Sequence, residues 1–204
     1  MFGSIPPVTR ALILANVAIF GAQALLGDRF VAALALWPLG SASVLGPESG
    51  AGFNLWQLVT YAFLHGNTLH LFFNMFALYM FGGEIERVFG PRRYLQYYFV
   101  TVIVAAITQL VVSGVGSATP YPTVGASGGV FGLLLAFGML FPRRMIMLIF
   151  PPIPMPAWLF VTVYGVLELY LGVTGTSQGV AHFAHLGGML GGFLMLRRWR
   201  RQLT

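Results

Sequence analysis

Residues 123–140 read TVGASGGVFGLLLAFGML, a glycine-rich segment with a single serine that leads directly into apolar residues. The apolar run is continuous rather than alternating, which predicts a buried helix and not a half-exposed strand. Gly128 and Gly132 are four residues apart, a spacing that lets two membrane helices approach until their backbones nearly touch. The segment therefore predicts a closely packed helix, and it raises the question whether Ser127 is a packing residue or a reactive one.

The whole chain shares this apolar character, since 57% of its 204 residues are hydrophobic and 8% are charged. A soluble domain carries about a quarter charged residues, so this chain could not cover itself with a solvated surface. Apolar stretches of about 20 residues, enough to cross roughly 30 Å of hydrocarbon, recur along it. Because these stretches do not alternate in polarity, we expect an all-α polytopic protein embedded in the lipid bilayer.

We predict six transmembrane helices in a single domain that covers residues 1–204. Their approximate ranges are 9–27, 68–87, 93–114, 125–142, 156–173 and 180–197. The first connection, residues 28–67, is much the longest, and it is apolar enough to lie half in the membrane interface. The first apolar stretch has some features of a signal peptide, but we expect it to be retained as a helix.

The charge distribution sets the expected orientation. All 11 basic residues are arginines, and with six spans only Arg29 falls on the side opposite the two termini. The positive-inside rule then places both termini in the cytoplasm. No basic stripe forms on a soluble element, so a nucleic-acid partner is not expected. The chain has no cysteine, which excludes disulfides, thiolate metal ligands and a cysteine nucleophile.

Few polar side chains within the predicted spans could perform chemistry. They are His70 and Asn74 in the second span, Ser127 in the fourth, and His182 and His185 in the sixth. Because buried polar groups are costly in lipid, each is a candidate site residue. At 1.5 Å per residue, counting back from the cytoplasmic arginines puts the serine, His70 and His185 roughly 18–25 Å above that boundary. The sequence therefore predicts one polar layer that opens toward the outer face.

The spacing along two of the helices indicates how these groups could act together. His185 shares a helix face with Gly188 and Gly192, so close packing could bring it within reach of Ser127. It would then take the serine proton as a general base and later donate it to a leaving amine. No acid is expected near this pair, because Glu168 is predicted at the outer end of the fifth span. The sequence thus predicts a Ser–His dyad and not a triad.

The tetrahedral intermediate of such a reaction needs donors that face its oxyanion. His70 and Asn74 lie on one helix face and offer side-chain N–H groups, while Ser127 offers its backbone N–H at a helix start. Glycines at positions 125 and 128 would let an extended substrate approach the backbone closely. These groups predict a hydrolytic site.

Four motifs resemble those of the rhomboid family of intramembrane serine proteases. They are HGNTLHLFFN (65–74), GEIERVFG (83–90), GASG (125–128) and AHFAHLGGMLGG (181–192). The resemblance covers essentially all six predicted spans. It implies a protease that works through an acyl-enzyme, with Ser127 as the nucleophile and His185 as the general base. It also implies an oxyanion hole formed by His70, Asn74 and the backbone N–H of the serine.

The resemblance also implies how the site is packed. Gly125 and Gly128 match glycines of the serine motif, Gly188 and Gly192 match helix-packing glycines, and Phe131 matches an aromatic residue beneath the catalytic histidine. The long first loop would be embedded in the membrane, the fifth span would act as a lateral gate, and residues 173–179 would form part of a cap. One departure is visible: the family often has Trp-Arg in the first loop, and here the pair is Trp56–Gln57.

The expected substrates are single-pass membrane proteins with helix-weakening residues near a cleavage site in or near the transmembrane segment. No cofactor and no metal ion are implied. The expected location is the bacterial cytoplasmic (inner) membrane, with the active site opening toward the periplasmic or extracellular side.

Simpler interpretations apply to some residues. His182 is expected to be structural, His65 a loop histidine at the interface, and Glu168 an interfacial acid or a gate contact. A metal site built from the histidines would need a carboxylate or thiolate partner, which the sequence does not place there. A transporter is the main alternative from another class, although no inverted repeat is visible. An inactive rhomboid-like scaffold is disfavoured because Ser127 and His185 are both present.

Overall fold

A computed structural model of the chain describes residues 4–116, 120–147, 152–175 and 180–201. The longer helices in these ranges are α1 (Pro7–Leu26), α5 (Thr68–Ala77), α7 (Pro91–Gly116), α8 (Ser127–Leu140), α9 (Ala157–Thr174) and α10 (His182–Arg201). The shorter ones are α2 (Asp28–Leu34), α3 (Ser41–Leu45), α4 (Gln57–Thr60) and α6 (Gly83–Phe89). Two 3₁₀ segments occupy Pro47–Ser49 and Tyr61–Phe63.

Each of the six predicted spans coincides with helical residues. The second consists of α5, a π-helical segment at Leu78–Gly82 and α6, which follow one another without a break. Within the described residues, three helices are long and apolar enough to cross a bilayer: α1, residues Pro91–Ser113 of α7, and α9. Helix α8 is apolar but shorter. The chain is therefore a predominantly helical integral membrane protein, and the count of six spans remains a prediction.

The expectation of an all-α fold needs one correction. Between α8 and α9, strands β1 (Met145–Met147) and β2 (Pro154–Pro156) form a two-stranded antiparallel sheet. Prolines cannot continue a helix, because they lack the backbone N–H and clash with the preceding turn. The prolines at positions 154 and 156 therefore keep the chain extended in β2 before α9 begins.

The packing of α10 against α7 and α8 is the most extensive in the bundle, and glycines line it. A Cβ atom at Gly188 would overlap the carbonyl oxygen of Gly128, and one at Gly192 would overlap the hydroxyl of Tyr97. That hydroxyl donates a hydrogen bond to the carbonyl of Gly132 at 2.8 Å. These helices therefore pack backbone against backbone, as the glycine spacing in the sequence predicts.

The first loop is anchored by Gln57, whose side chain is fully buried. Its Oε1 accepts the backbone N–H groups of Trp37 and Asn54, both at 3.3 Å. Its Nε2 donates to the carbonyl of Gly52 at 2.9 Å and to that of Ala33 at 3.4 Å. A neutral amide with two donors and two acceptor lone pairs can satisfy all four groups. Glutamine at this position therefore holds the loop without the arginine that the resemblance suggests.

Glu86, a residue of the GEIERVFG motif in α6, binds the start of α1. Its buried carboxylate accepts the backbone N–H groups of Val8 and Thr9 at 2.9 and 2.7 Å, and the Thr9 hydroxyl at 2.8 Å. The first N–H groups of a helix have no carbonyl partner within the helix, and the helix dipole favours negative charge there. Glu86 thus fixes the start of α1 against the second span.

We expect the substitution Gly188→Ala to destabilise the protein by at least about 2 kcal/mol, because α8 and α10 must separate to admit the methyl group. Thermal unfolding in detergent measures this change. The control is Gly21→Ala in α1, where a Cβ atom would meet nothing within 4 Å. A Gly188→Ala protein that unfolds at the wild-type temperature would contradict the backbone contact.

We expect Gln57→Leu to destabilise the protein by roughly 3 kcal/mol, because it leaves buried backbone N–H and C=O groups without partners. Gln96 on α7 is exposed and provides a matched control. The substitution Gln96→Leu removes the same amide from the protein surface, where it does not bury an unpaired backbone group. The two variants are compared with the wild type by thermal unfolding. Equal stability of both variants would show that Gln57 does not anchor the loop.

Candidate active site

Ser127 is the first residue of α8, and His185 lies in the first turn of α10. The Ser127 Oγ atom is 2.7 Å from His185 Nε2. This is hydrogen-bond distance, and it is the geometry in which an imidazole can take the proton of a serine hydroxyl. The structure therefore brings together the two side chains that the sequence predicts as nucleophile and base.

Phe131 holds the imidazole of His185 in this orientation. The two rings are stacked, with centroids 4.3 Å apart and an angle of 5° between their planes. Phe131 follows Ser127 by about one helical turn, so both residues face α10. Tyr164 of α9 also packs against Phe131, with ring centroids 6.5 Å apart. The flat contact limits rotation of the histidine and keeps Nε2 directed at the serine.

His70 lies against the backbone that precedes Ser127. Gly125 has φ 126°, and a Cβ atom there would come within 2.8 Å of both Cε1 and Nε2 of His70. Only glycine combines this backbone angle with such a close approach. The backbone N–H of Gly66 donates to His70 Nδ1 at 3.4 Å, so a neutral ring carries its proton on Nε2. A donor N–H therefore lies next to the Gly125 peptide.

Asn74 is buried one turn further along α5, and its Nδ2 donates to the carbonyl of His70 at 2.9 Å. One of the two amide hydrogens is thus used within the helix, and the other makes no hydrogen bond within the described residues. The backbone N–H of Ser127 is also available, because the first residues of a helix have no carbonyl one turn earlier to bond.

Glu168 corrects the expectation that no acid lies near the serine and the histidine. Its Oε2 atom is 2.9 Å from His185 Nδ1, and its side chain is buried between α9 and α10. The residue lies eleven positions after the start of α9, or about 17 Å along the helix at 1.5 Å per residue. This is the depth predicted for His185, so the same counting argument could have found the acid. The expected position at the outer interface was wrong.

Comparison with known proteins identifies the group to which this fold and site belong. Residues 52–201 match the family model described as the Rhomboid domain. The chain belongs to the rhomboid family. This rhomboid is 31% identical over 140 residues to Rhomboid protease GluP of Bacillus subtilis, covering 68% of the chain and 25% of that protein.

Two further relatives extend the comparison. Rhomboid protein 1, mitochondrial, of Saccharomyces cerevisiae is 30% identical over 146 residues, covering 68% of the chain and 40% of that protein. Rhomboid protease GlpG of Yersinia pestis is 28% identical over 192 residues, covering 93% of the chain and 61% of that protein. The chain therefore spans between a quarter and about three fifths of the length of these curated relatives.

His182 of this rhomboid, which the sequence predicts to be structural, contacts the same acid. It is buried, and its Nδ1 lies 2.6 Å from the same Glu168 oxygen that contacts His185. The carboxylate partner that the sequence did not place among the histidines is therefore present. The three groups have ligating atoms of the kind that Zn²⁺ accepts, all within 4.8 Å of one another. These contacts are explained by two histidine N–H groups that donate to one oxygen of Glu168. The absence of a metal ion from the site remains a prediction.

His65 of this rhomboid lies in the short loop before α5, as predicted, and its side chain is buried, with only 1% of the residue exposed. Its backbone N–H donates to Gln23 Oε1 at 2.9 Å, and its carbonyl accepts from Gln23 Nε2 at 3.0 Å. Its ring meets that of His70 edge to face, with centroids 5.1 Å apart. Burial, and to a smaller extent the neighbouring His70, lowers the pKa of His65 to about 4. The ring is therefore neutral at physiological pH.

The predicted cap, which connects α9 to α10, is described only in part. The predicted cap at residues 173–179 includes positions 176–179, which lie outside the described residues. Residues 173 and 174 are the last two of α9, and Gly175 ends that helix in the left-handed conformation.

The low pKa of His65 predicts that the protein loses stability as pH falls from about 6.5 to about 4. In that window the unfolded chain binds a proton at this position and the folded protein does not, so acid favours unfolding. We expect His65→Phe, which keeps an aromatic ring, to reduce this pH dependence in thermal unfolding. An unchanged pH dependence in the variant would contradict a buried neutral His65.

Proposed function

We propose that this rhomboid is an intramembrane serine endopeptidase that cleaves single-pass membrane proteins through an acyl-enzyme. The observation that carries the proposal is the 2.7 Å contact between Ser127 Oγ and His185 Nε2, made by the first turns of two closely packed helices. Two of the relatives described above are named as rhomboid proteases. Family membership and the serine–histidine geometry therefore support the same activity.

In the acylation step, Ser127 Oγ forms a bond to the carbonyl carbon of the scissile peptide while its proton passes to His185 Nε2. The carbonyl π electrons move to the oxygen, which becomes an oxyanion. The Nε2–H of His70, the backbone N–H of Ser127 and the second amide hydrogen of Asn74 are the donors proposed to stabilise this charge. The C–N bond then breaks, and His185 gives its proton to the departing amine.

In the deacylation step, a water molecule transfers a proton to His185 Nε2 as its oxygen bonds to the acyl carbon. A second oxyanion forms at the same place. The ester bond to Ser127 Oγ then breaks, and the serine recovers the proton from His185. The products are a new amino terminus and a new carboxyl terminus, and both side chains return to their starting states.

The membrane setting determines which peptide bonds can react. A substrate helix has its carbonyl and N–H groups paired internally, so it must unwind locally before Ser127 can attack. Residues that weaken helices near the cleavage site would favour this step. Helix α9 is the proposed lateral gate, because it buries few side chains and exposes large apolar ones such as Trp158, Val166 and Tyr170.

The proposed orientation places both termini in the cytoplasm and opens the site to the outer side of a bacterial inner membrane. The arginines of different loops gather at one end of the bundle. Glu84 forms ion pairs with Arg87 and Arg144 at 2.9 and 2.6 Å, and Arg93 lies over the ring of Trp199 in α10. An arginine-rich end of this kind supports a cytoplasmic location.

We expect Ser127→Ala and His185→Ala each to lower cleavage of a transmembrane substrate in liposomes by about 10⁴-fold or more. The wild type should also react with a fluorophosphonate probe at Ser127, as mapped by mass spectrometry, and chelation of metal ions should leave its cleavage rate unchanged. The exposed Ser43→Ala variant is the matched control.

Efficient cleavage by either active-site variant would refute the proposed dyad. A folded wild-type protein that neither cleaves substrate nor reacts with the probe would instead favour a transporter or an inactive scaffold.

A further inference from the structure

A chain of polar contacts continues behind the serine and the histidine. It runs from Ser127 Oγ to His185 Nε2 at 2.7 Å, from His185 Nδ1 to Glu168 Oε2 at 2.9 Å, and from that oxygen to His182 Nδ1 at 2.6 Å. The four residues come from α8, α9 and α10. The Ser–His dyad accounts for only the first of these contacts.

The contacts of Glu168 determine which nitrogen of His185 carries the proton. A carboxylate has only acceptor atoms, so Nδ1 of His185 must be the donor to Oε2. In the neutral ring this leaves Nε2 unprotonated, facing the hydroxyl of Ser127. That is the one neutral tautomer in which His185 can accept the serine proton.

The surroundings of His182 indicate that it is a neutral donor to the same carboxylate. Its Nε2 is buried and has no hydrogen-bond partner among the described residues. A protonated ring would bury a charged N–H without a partner, which costs more than burying a bare nitrogen lone pair. The negative charge of Glu168 is therefore stabilised by two neutral N–H donors and remains available to His185.

A purely structural role does not explain a carboxylate at this place. Glu168 lies in a helix that is apolar and long enough to span the membrane, where an ionised side chain is costly. Among the described residues its side-chain partners are the two histidines, and no arginine pairs with it. A neutral amide could accept the same two hydrogen bonds at a lower desolvation cost. The property that only the acid supplies is negative charge beside His185.

We propose that Glu168 is a positioning residue that extends the Ser127–His185 pair to a Ser–His–Glu triad, with His182 holding the carboxylate in place. This inference rests on the protease activity proposed above. Glu168 takes no proton during the reaction. It keeps Nδ1 of His185 protonated, and it stabilises the imidazolium that forms each time Nε2 accepts a proton from Ser127 or from water.

The test compares Glu168→Gln, Glu168→Asp and wild-type protein in liposomes, with kcat and KM measured for one transmembrane substrate. We expect Glu168→Gln to lower kcat by about 100-fold with little change in KM, because it keeps the hydrogen bonds and removes the charge. Glu168→Asp restores the charge on a shorter side chain, so its kcat should lie well above that of Glu168→Gln. The matched control is Glu84→Gln, which removes a half-exposed carboxylate from the opposite end of the bundle and should leave kcat unchanged.

A second comparison tests the role of His182. We expect His182→Asn to lower kcat by about 10-fold, and the double variant with Glu168→Gln to be no slower than Glu168→Gln alone, because both residues act through one contact. Histidine N–H resonances in ¹⁵N-labelled protein report the contact directly. The Nδ1–H signal of His185 should shift in Glu168→Gln while thermal unfolding shows the variant folded.

The outcomes separate the two proposals. An active wild type with a Glu168→Gln variant of unchanged kcat would overturn the triad and leave the dyad intact. The triad would also be overturned if the lower kcat of Glu168→Gln came only from a smaller folded fraction of that variant. The same conclusion would follow if the kcat of Glu168→Asp were no higher than that of Glu168→Gln. A folded wild type without cleavage and without fluorophosphonate labelling of Ser127 would overturn the proposed protease function and the triad with it.

Discussion

The contact between the backbones of α8 and α10 is the constraint on which the rest of the site depends. Gly188 lies so close to the carbonyl of Gly128 that no side chain fits between them. Ser127 immediately precedes Gly128, and His185 is one turn before Gly188, so the same contact sets the 2.7 Å distance between their reactive atoms. The glycines around the serine are therefore part of the chemistry as well as of the packing.

A second constraint follows from the membrane. Polar groups buried away from water must find partners, and this protein pairs them in small sets. Gln57 satisfies four backbone groups of the first loop, Glu86 binds the start of α1, and Glu168 accepts from two histidines. Each set joins segments that are distant in sequence. Polar contacts thus define which apolar helices meet, while the apolar surfaces alone would allow many arrangements.

Much of the architecture follows from local properties of the sequence. The six helical stretches follow from the length and continuity of apolar residues, and the shared depth of Ser127, His70 and His185 follows from the rise of 1.5 Å per residue. Counting 1.5 Å per residue from the start of α9 also places Glu168 at that depth. The prediction that this acid lies at the outer interface did not use that count. The residues three and four positions away on the same face are Tyr164, Gly165, Leu171 and Gly172, so no charged stripe on α9 marks the face that meets α10.

The sequence by itself determined the helical class, the membrane location, the polar layer and the residue types that could react. Only the tertiary structure decided that Glu168 and His182 lie behind His185, that His65 is buried beside His70, and that the Gln57 amide anchors the first loop. The physical reason is that length and depth depend on a single helix, since each residue adds a constant rise. Rotation and tilt depend on how side chains of separate helices interlock, and that information is shared among residues far apart in the chain.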